Sequence, residues 1–334
     1  MNKILSVCIP TYNMERLLAR CLDSFIIEKE YMDKLEIIVV NDGSKDNSIK
    51  IAYEYVEKYP NTYIVIDKSN GNYGSCINAA LKVATGIYFR ICDADDKYMT
   101  ENLSRYLDYL QMFNVDIVFS SYRILNFDST ISTIAIPAYP YISKGWLIES
   151  INWNIAELKK YRAMHAMSVK TSLLINNGYF QTEQISYTDQ QFVFYSFLYA
   201  ESCSFTDLSI YDYYLGRDGQ TMSLESMKRS YMHFYKNAER MLNDYVTLPS
   251  TIHEEKRKLL FATIMAVVSP YVTIILNQIK NIKKEVTLLN SLIDKSKKSH
   301  LLCPIENELL KMRRYYLWRR FKVPHILFYL IYHK

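Results

Sequence analysis

Acidic residues that could hold a cation stand directly after an apolar run in the first third of the chain. Residues 86–92 form this run, and Asp93-Ala94-Asp95-Asp96 follows it. Two carboxylates one residue apart, on a short turn at a strand end, can face one ligand. Divalent cations such as Mg²⁺ and Mn²⁺ prefer such oxygen donors. An acidic turn leading into the next helix is the alternative interpretation, since Asp favours turns and helix starts.

The elements that must position these carboxylates alternate between two patterns. Near-continuous apolar runs predict strands, and apolar residues at helical spacing predict helices between them; the strands are 5–9, 35–40, 63–66, 86–92 and 117–120, and the helices are 16–27, 48–58 and 76–84. This alternation indicates an α/β fold, a mostly parallel, doubly wound sheet with helices on both faces. In such sheets ligands bind outside the carboxyl ends of the strands. Thr11, Asp42 and Asp93 all fall at those ends.

The residue types at this edge suit a nucleotide. Asp42 can accept a hydrogen bond from a base edge, and Thr11 and Tyr12 can pack against a nucleoside. Asp93 can reach a ribose hydroxyl, while Asp95 can hold a cation across a diphosphate. Residues 69–75 form a Gly-rich loop, which permits close backbone approach to a ligand. This loop lacks the spacing of dinucleotide binders and of P-loops, so a plain turn is its alternative interpretation.

Four short segments, in this order and spacing, resemble the family-2 inverting glycosyltransferases. They are residues 7–13 (VCIPTYN), 39–44 (VVNDGS), 70–75 (NGNYGS) and 93–96 (DADD). The resemblance covers roughly the first two thirds of the chain. It implies the GT-A nucleotide-diphospho-sugar transferase fold, a nucleotide-sugar donor that is most often UDP-linked, and a Mg²⁺ or Mn²⁺ ion. Many relatives have an Arg-Asn pair after the third segment, whereas this chain has Cys76-Ile77-Asn78, which keeps the asparagine and lacks the arginine.

The resemblance also implies a set of site residues. Thr11, Tyr12 and Asp42 would contact the nucleoside, Asp93 would contact the ribose or the metal shell, and Asp95 would be the direct metal ligand. The full set implied to bind the nucleotide-sugar comprises Pro10, Thr11, Tyr12, Asn13, Asp42, Ser44, Asn70, Gly74, Ser75, Asn78, Asp93, Ala94, Asp95 and Arg217.

An inverting transfer needs a base that takes the proton of the acceptor hydroxyl. In the family this base is usually the Asp of a Glu-Asp pair that follows the metal motif, and residues 186–192 (SYTDQQF) occupy that place here. Asp189 is therefore the candidate base, with Thr188 where the Glu often stands. The alternative is an ordinary acidic residue at a helix N-terminus, because Phe192 and Tyr195 follow at helical spacing.

Residues 211–223 resemble the end of the catalytic region in bacterial polysaccharide transferases. Arg217 could bind the donor diphosphate, for which a guanidinium offers paired donors. A strand followed by a polar turn is an equally good interpretation.

Composition narrows the choice less than the motifs do. The chain has 334 residues, 49% of them hydrophobic, and a net charge of +5, which does not indicate nucleic-acid binding. Its six cysteines are scattered without a Cys-x-x-Cys pair, so we interpret them as reduced residues of a cytoplasmic protein. The short apolar run near the start is needed as the first strand, and no secretory signal is predicted.

The sequence predicts a catalytic domain over residues 1–225 and an α-helical domain over 226–334. Residues 259–276 lack charge and approach the length of a membrane span, but a buried helix kinked at Pro270 fits them better. Residues 312–322 interleave cationic and aromatic side chains, which suits the anionic inner face of the plasma membrane. A solvated basic helix that packs on its own domain or on a partner subunit is the alternative.

Two classes of function remain. The first is a glycosyltransferase that extends or decorates a capsule, exopolysaccharide or cell-wall glycopolymer, with a saccharide acceptor that is free or lipid-linked. The second is an inactive nucleotide-sugar-binding or scaffold protein on the same fold. The intact residues Asp93, Asp95 and Asp189 favour the first, because a binding protein need not keep a base.

Overall fold

The computed structural model describes residues 2–126, 130–135, 137, 141–142, 144–216, 223–298, 304–321 and 323. The chain divides into two compact units, Met1–Arg217 and Asp218–Lys334.

The first unit is built on one ten-stranded sheet. Its strands are β1 (Leu5–Thr11), β2 (Leu35–Asp42), β3 (Tyr63–Lys68), β4 (Tyr88–Ile91), β5 (Lys97–Tyr98), β6 (Ile117–Asn126), β7 (Ile131–Ala135), β8 (Gly145–Leu147), β9 (Met167–Lys170) and β10 (Ser202–Leu215). Eight of them lie in the order β3-β2-β1-β4-β9-β6-β10-β5, while β7 pairs with β6 and β8 pairs with β10.

Helices follow several of these strands along the chain. In the first unit they are α1 (Leu18–Asp23), α2 (Lys29–Met32), α3 (Ser48–Lys58), α4 (Asn72–Leu81), α5 (Thr100–Met112), α6 (Ala156–Lys159), α7 (Thr171–Asn176) and α8 (Asp189–Tyr199). In the second unit they are α9 (Leu224–Arg229), α10 (Tyr231–Val246), α11 (Glu254–Gln278), α12 (Lys283–Lys298), α13 (Ile305–Leu309) and α14 (Arg313–Phe321).

The parallel part of the sheet explains why the apolar runs lack alternation. Strand β1 pairs in parallel with both β2 and β4, and all residues of β2 are buried. A strand that is covered on both faces needs apolar side chains on both. The predicted mostly parallel α/β sheet with a helical C-terminal region is therefore confirmed, with β9 as an antiparallel insertion between β4 and β6.

The largest differences between predicted and observed boundaries concern α1 and the start of α4. The helix predicted over 16–27 is only α1, because the Ser24 hydroxyl donates to the carbonyl oxygen of Cys21 and accepts the backbone N–H of Tyr98, which ties the chain to β5. The Gly-rich loop predicted over 69–75 is shorter, because α4 already begins at Asn72.

In the second unit, helix α11 is long and apolar enough to cross a membrane by length and composition alone. Yet 67% of its most apolar window is buried within the protein, as in the core helix of a soluble protein. Pro270 lies inside this helix, as the sequence predicted.

Candidate active site

The carboxyl ends of β1, β2 and β4 meet at one edge of the sheet. Thr11, the last residue of β1, pairs with Asn41 in β2, so Asp42 lies one residue further along. In β4, Ile91 pairs with Cys8 and the backbone N–H of Cys92 donates to the carbonyl oxygen of Cys8. Asp93 therefore follows at the level of Pro10, and the acidic turn faces the same edge.

The loops after β1 and β2 are fastened to each other. Asn13 has a positive φ of 54°, and its backbone N–H donates to Ser44 Oγ at 3.0 Å. Its side-chain oxygen in turn accepts the backbone N–H of Lys45 at 2.8 Å. Tyr12 directly precedes Asn13 and has 47% of its surface exposed, while Thr11 is buried. Asn13 and Ser44 thus shape the edge, and Tyr12 offers a ring to a ligand.

Asp42 is held by the start of α4. Its Oδ1 atom accepts hydrogen bonds from Lys68 Nζ at 2.6 Å and from the backbone N–H of Gly71 at 2.9 Å. Asn70 Nδ2 donates to the backbone carbonyl of Asp42 at 3.0 Å. Ser75 joins the group through Lys68, which donates to Ser75 Oγ at 2.8 Å. Sequence reasoning missed Lys68, whose side chain reaches this cluster from the end of β3.

Gly74 and Asn78 connect α4 to the loop that precedes α8. A Cβ atom on Gly74 would lie 2.2 Å from the carbonyl oxygen of Thr182, so only glycine allows this approach. The Asn78 amide donates to the carbonyl oxygen of Gln181 and to Glu183, both at 2.9 Å, and accepts the N–H of Gln181 at 2.8 Å. The Asn78 side chain therefore positions this loop.

The acidic turn brings three carboxylates together. Asp93, Asp95 and Asp96 each offer an oxygen atom within 4.8 Å of the others. Both Asp96 oxygens are already engaged, by the Tyr211 hydroxyl at 2.7 Å and by the backbone N–H of Tyr214 at 2.8 Å. Asp96 thus anchors β10. Asp93 and Asp95 are the pair that the sequence predicts to hold a divalent cation, and the structure places their carboxylates within reach of each other. Hard oxygen donors in this number fit Mg²⁺ or Mn²⁺.

Burial, more than repulsion between the carboxylates, sets the electrostatics of this cluster. Burial raises the pKa of Asp93 to about 7, and the Asp95 and Asp189 carboxylates add to the shift, while a hydrogen bond from Tyr73 opposes it. The Tyr73 hydroxyl donates to Asp93 Oδ1 at 2.7 Å. A cation bound between the carboxylates would relieve the repulsion, because opposite charge favours the ionised form.

Asp189 is the first residue of α8 and lies close enough to Asp93 to affect its pKa. Burial raises the pKa of Asp189 itself, whereas a hydrogen bond from Gln190 opposes the rise. The Gln190 amide donates to Asp189 Oδ2 at 3.0 Å. The fold therefore brings the candidate base, about a hundred residues away along the chain, beside the acidic turn. A carboxylate with a raised pKa is a better proton acceptor near neutral pH.

A buried layer beneath the acidic turn was not predicted. The Arg90 guanidinium is fully buried and donates to Ser120 Oγ at 3.0 Å and to the carbonyl oxygen of His165. The His165 ring stacks on Tyr213, with 4.9 Å between ring centroids, and burial lowers the pKa of His165 to about 3. An arginine inside an apolar strand was the sequence signal that could have pointed to this layer.

Arg20 of α1 is a third cation that sequence reasoning missed, after Lys68 and Arg90. It donates to the backbone carbonyl of Asp95, and its guanidinium lies 4.2 Å from the centroid of the Tyr214 ring. Arg20 thereby joins the acidic turn to the end of β10.

Arg217, which the sequence predicts to bind the donor diphosphate, lies outside the described residues, as do residues 218–222.

Comparison with known proteins agrees with this geometry. The family model "Glycosyl transferase family 2" matches residues 6–165. The poly(ribitol-phosphate) beta-glucosyltransferase of Bacillus spizizenii is 31% identical over 226 residues, which is 66% of this chain and 33% of the relative. The poly(ribitol-phosphate) beta-N-acetylglucosaminyltransferase TarS of Staphylococcus aureus is 27% identical over 218 residues, 65% of this chain and 36% of TarS. The matches thus span about a third of these relatives.

A solved structure shows the same fold. The crystal structure of S. aureus TarS 1–349 in complex with UDP-GlcNAc has a TM-score of 0.69 and 18% sequence identity, and the match covers 99% of this chain and 90% of that one. A further relative found by sequence is the minor teichoic acid biosynthesis protein GgaB of Bacillus subtilis, which is 39% identical over 95 residues, 28% of this chain and 11% of the relative. The family model thus assigns residues 6–165 to a glycosyl transferase family 2 domain, and the fold of the chain is the GT-A fold that TarS also has.

Proposed function

We propose that this chain transfers a sugar from a UDP-linked donor to a saccharide acceptor, with inversion at the anomeric carbon. The observation that carries the proposal is the convergence of Asp42, the Asp93–Asp95 pair and Asp189 at one edge of the sheet. Asp42 would accept a hydrogen bond from the nucleobase of the donor. The Asp93–Asp95 pair would hold the cation that binds the diphosphate. Asp189 would take the proton of the acceptor hydroxyl.

The reaction follows from the placement of Asp189. The acceptor hydroxyl oxygen forms a bond to the anomeric carbon, and its proton passes to the Asp189 carboxylate. The bond between the anomeric carbon and the donor phosphate oxygen breaks, and UDP leaves with the electron pair. One displacement gives one inversion. Asp93 and Asp95 would hold Mg²⁺ or Mn²⁺, which would supply positive charge for the diphosphate.

The acceptor that we propose is a bacterial glycopolymer of the capsule, exopolysaccharide or cell wall. Two relatives are named for transfer to poly(ribitol-phosphate), which supports this class of acceptor.

We further propose that the protein works at the inner face of the plasma membrane through α14. In that helix Tyr315 is buried, whereas Arg313, Tyr316, Arg320 and Phe321 are exposed. Cationic and aromatic side chains on one exposed surface suit an anionic membrane.

The direct test incubates the full chain with UDP-glucose or UDP-N-acetylglucosamine, Mn²⁺ and poly(ribitol-phosphate), and follows UDP release. Nuclear magnetic resonance of the product then gives the configuration at the anomeric carbon. We expect a product with the β configuration from an α-linked donor. A product that keeps the donor's configuration would contradict both the inverting mechanism and the role of Asp189. An inactive binding protein would bind UDP without releasing it from any donor.

A further inference from the structure

Lys68, the last residue of β3, lies beside Asp42 but has no N–H group left to donate to a ligand. Its ammonium group donates to Asp42 Oδ1 at 2.6 Å, to the carbonyl oxygen of Ser69 at 2.7 Å and to Ser75 Oγ at 2.8 Å. A lysine ammonium group has three N–H donors, and all three are used here. Any effect of Lys68 on a bound nucleotide must therefore act through Asp42.

The two oxygen atoms of Asp42 have different surroundings. Oδ1 accepts hydrogen bonds from Lys68 and from the backbone N–H of Gly71 at 2.9 Å, with Ser75 Oγ a third, longer neighbour at 3.5 Å. These bonds fill its two lone pairs. Oδ2 accepts no N–H or O–H hydrogen bond from the part of the chain that the structure describes; the other side chain hydrogen-bonded to Asp42 is the Cys76 thiol, a weak donor. Because Asp42 is only 3% exposed and fixed through Oδ1, it can present one oxygen to a ligand.

Nucleobases differ in what they require from such a carboxylate. Uracil presents a single N–H between two carbonyl groups, which one carboxylate oxygen can accept. Guanine presents two adjacent N–H groups and bonds best to both oxygens of a carboxylate. Cytosine and adenine present a ring nitrogen lone pair next to their amino group, and a carboxylate repels that lone pair. A carboxylate limited to one free oxygen therefore matches uracil best.

We propose that Lys68 is a positioning residue that selects uridine over guanosine nucleotides, because it occupies Oδ1 of Asp42 and leaves only Oδ2 for the base. The inference rests on the proposed function, since it assumes that Asp42 faces the base of the donor. It assigns to Lys68 a part in donor specificity that the motifs do not contain.

The test measures UDP, GDP and CDP affinity by isothermal titration calorimetry without metal, so that the diphosphate contribution is common to all three. Three forms of the full chain are compared: the parent, Lys68→Met and Asp42→Asn. We expect the parent to bind UDP about 10- to 100-fold more tightly than GDP, which is the range for a hydrogen bond to a charged group. Lys68→Met leaves Oδ1 with only the Gly71 N–H, which opens one of its lone pairs to a second donor of the base, and the preference for UDP over GDP should shrink about tenfold.

Asp42→Asn provides a second test that keeps the shape of the side chain. Lys68 and the Gly71 N–H should hold the amide oxygen at the Oδ1 position, which places the amide N–H₂ group at the Oδ2 position. A donor there repels the uracil N–H and matches the ring nitrogen of cytosine. We therefore expect UDP affinity to fall about 10- to 100-fold and CDP to become the better ligand.

Each outcome supports or overturns the inference. Equal loss of UDP and GDP affinity in Lys68→Met would mean that Lys68 only supports the fold, and the inference would be wrong. Equal binding of UDP and GDP by the parent would also refute it, yet leave a nucleotide-sugar transferase in place. If Lys68→Met does not fold, as judged by its melting transition, Asp42→Asn decides: an unchanged order of UDP and CDP would refute the fixed orientation. A parent that binds none of the three nucleotides would instead contradict the proposed function.

Discussion

Asp189→Asn tests the candidate base with the smallest change in shape. The amide can still accept the hydrogen bond that Gln190 donates at 3.0 Å, so the start of α8 should keep its geometry. What the variant loses is the ability to take a proton. General-base catalysis contributes about 10²- to 10⁴-fold in rate, so we expect kcat to fall by that factor, or about 2.7–5.4 kcal/mol.

The variant should remain folded and should bind UDP as the parent does. Loss of a negative charge from the first turn of a helix costs about 0.3–1 kcal/mol, while removal of a partly buried charge works in the opposite direction. We therefore expect the melting temperature to change by only a few degrees. The assay compares transfer rates at saturating donor with UDP affinity from calorimetry, so that a loss of kcat is separated from a loss of binding.

The pH profile provides a second readout. Burial raises the pKa of Asp189, and a base must be deprotonated to act, so parent activity should fall as pH falls through that raised pKa. The Gln190 hydrogen bond lowers the pKa of Asp189, and Gln190→Ala should therefore move the acidic limb of the profile to higher pH. Asp189→Asn should lack this limb. Transfer above a tenth of the parent rate, or an unchanged limb in Gln190→Ala, would move the role of base to another residue.

Three further changes probe the rest of the molecule. Asp95→Ala should abolish divalent-dependent transfer and weaken UDP binding only when Mn²⁺ is present; equal UDP·Mn²⁺ affinity in calorimetry would exclude it as a metal ligand. Gly74→Ala places a Cβ atom 2.2 Å from a backbone carbonyl oxygen and should cost about 1–3 kcal/mol in unfolding free energy by urea titration. Gly145→Ala is its control, because its Cβ meets only a side-chain atom at 3.9 Å, and similar losses in both would discount the contact. The full chain with Arg313→Gln and Arg320→Gln should partition about 30-fold less to anionic vesicles, given about 1 kcal/mol per cation, and equal partitioning would leave α14 without a membrane role.

The sequence was sufficient to predict the fold and the edge of the sheet at which the candidate residues meet. Strands buried on both faces have near-continuous apolar runs, and parallel strands place their carboxyl ends together, so Thr11, Asp42 and Asp93 had to converge. The prediction needed no distances, because it depends only on strand direction and order. The family resemblance then supplied the fold name, which the family model and the TarS structure confirm.

The role of a carboxylate also depends on which of its oxygen atoms already accept hydrogen bonds from the protein, and this could not be predicted from strand direction and order. Asp95 and Asp96 are adjacent and chemically identical. Yet both carboxylate oxygens of Asp96 accept hydrogen bonds from residues of β10, which lie more than a hundred positions later in the chain. The same holds for Asp42, one of whose oxygens is taken by Lys68. A motif identifies the carboxylates, whereas the long-range contacts decide how many of their lone pairs remain for a ligand.

The surroundings of the cation Arg90 could not be predicted from the sequence either. Its guanidinium forms no ion pair with a carboxylate among the residues that the structure describes; its partners are neutral oxygen atoms, with the faces of Tyr98 and Tyr106 at 5.6 and 5.7 Å. A buried cation without a paired charge costs several kcal/mol. The groups whose pKa the Arg90 charge lowers are Tyr98, Tyr106 and His165, which surround its guanidinium. Hydrogen bonds to neutral oxygen atoms of Tyr106, Ser120, His165 and Ser168 offset part of the cost of burying Arg90. Three of these four partners lie at least thirty residues away along the chain, so the sequence could not reveal them.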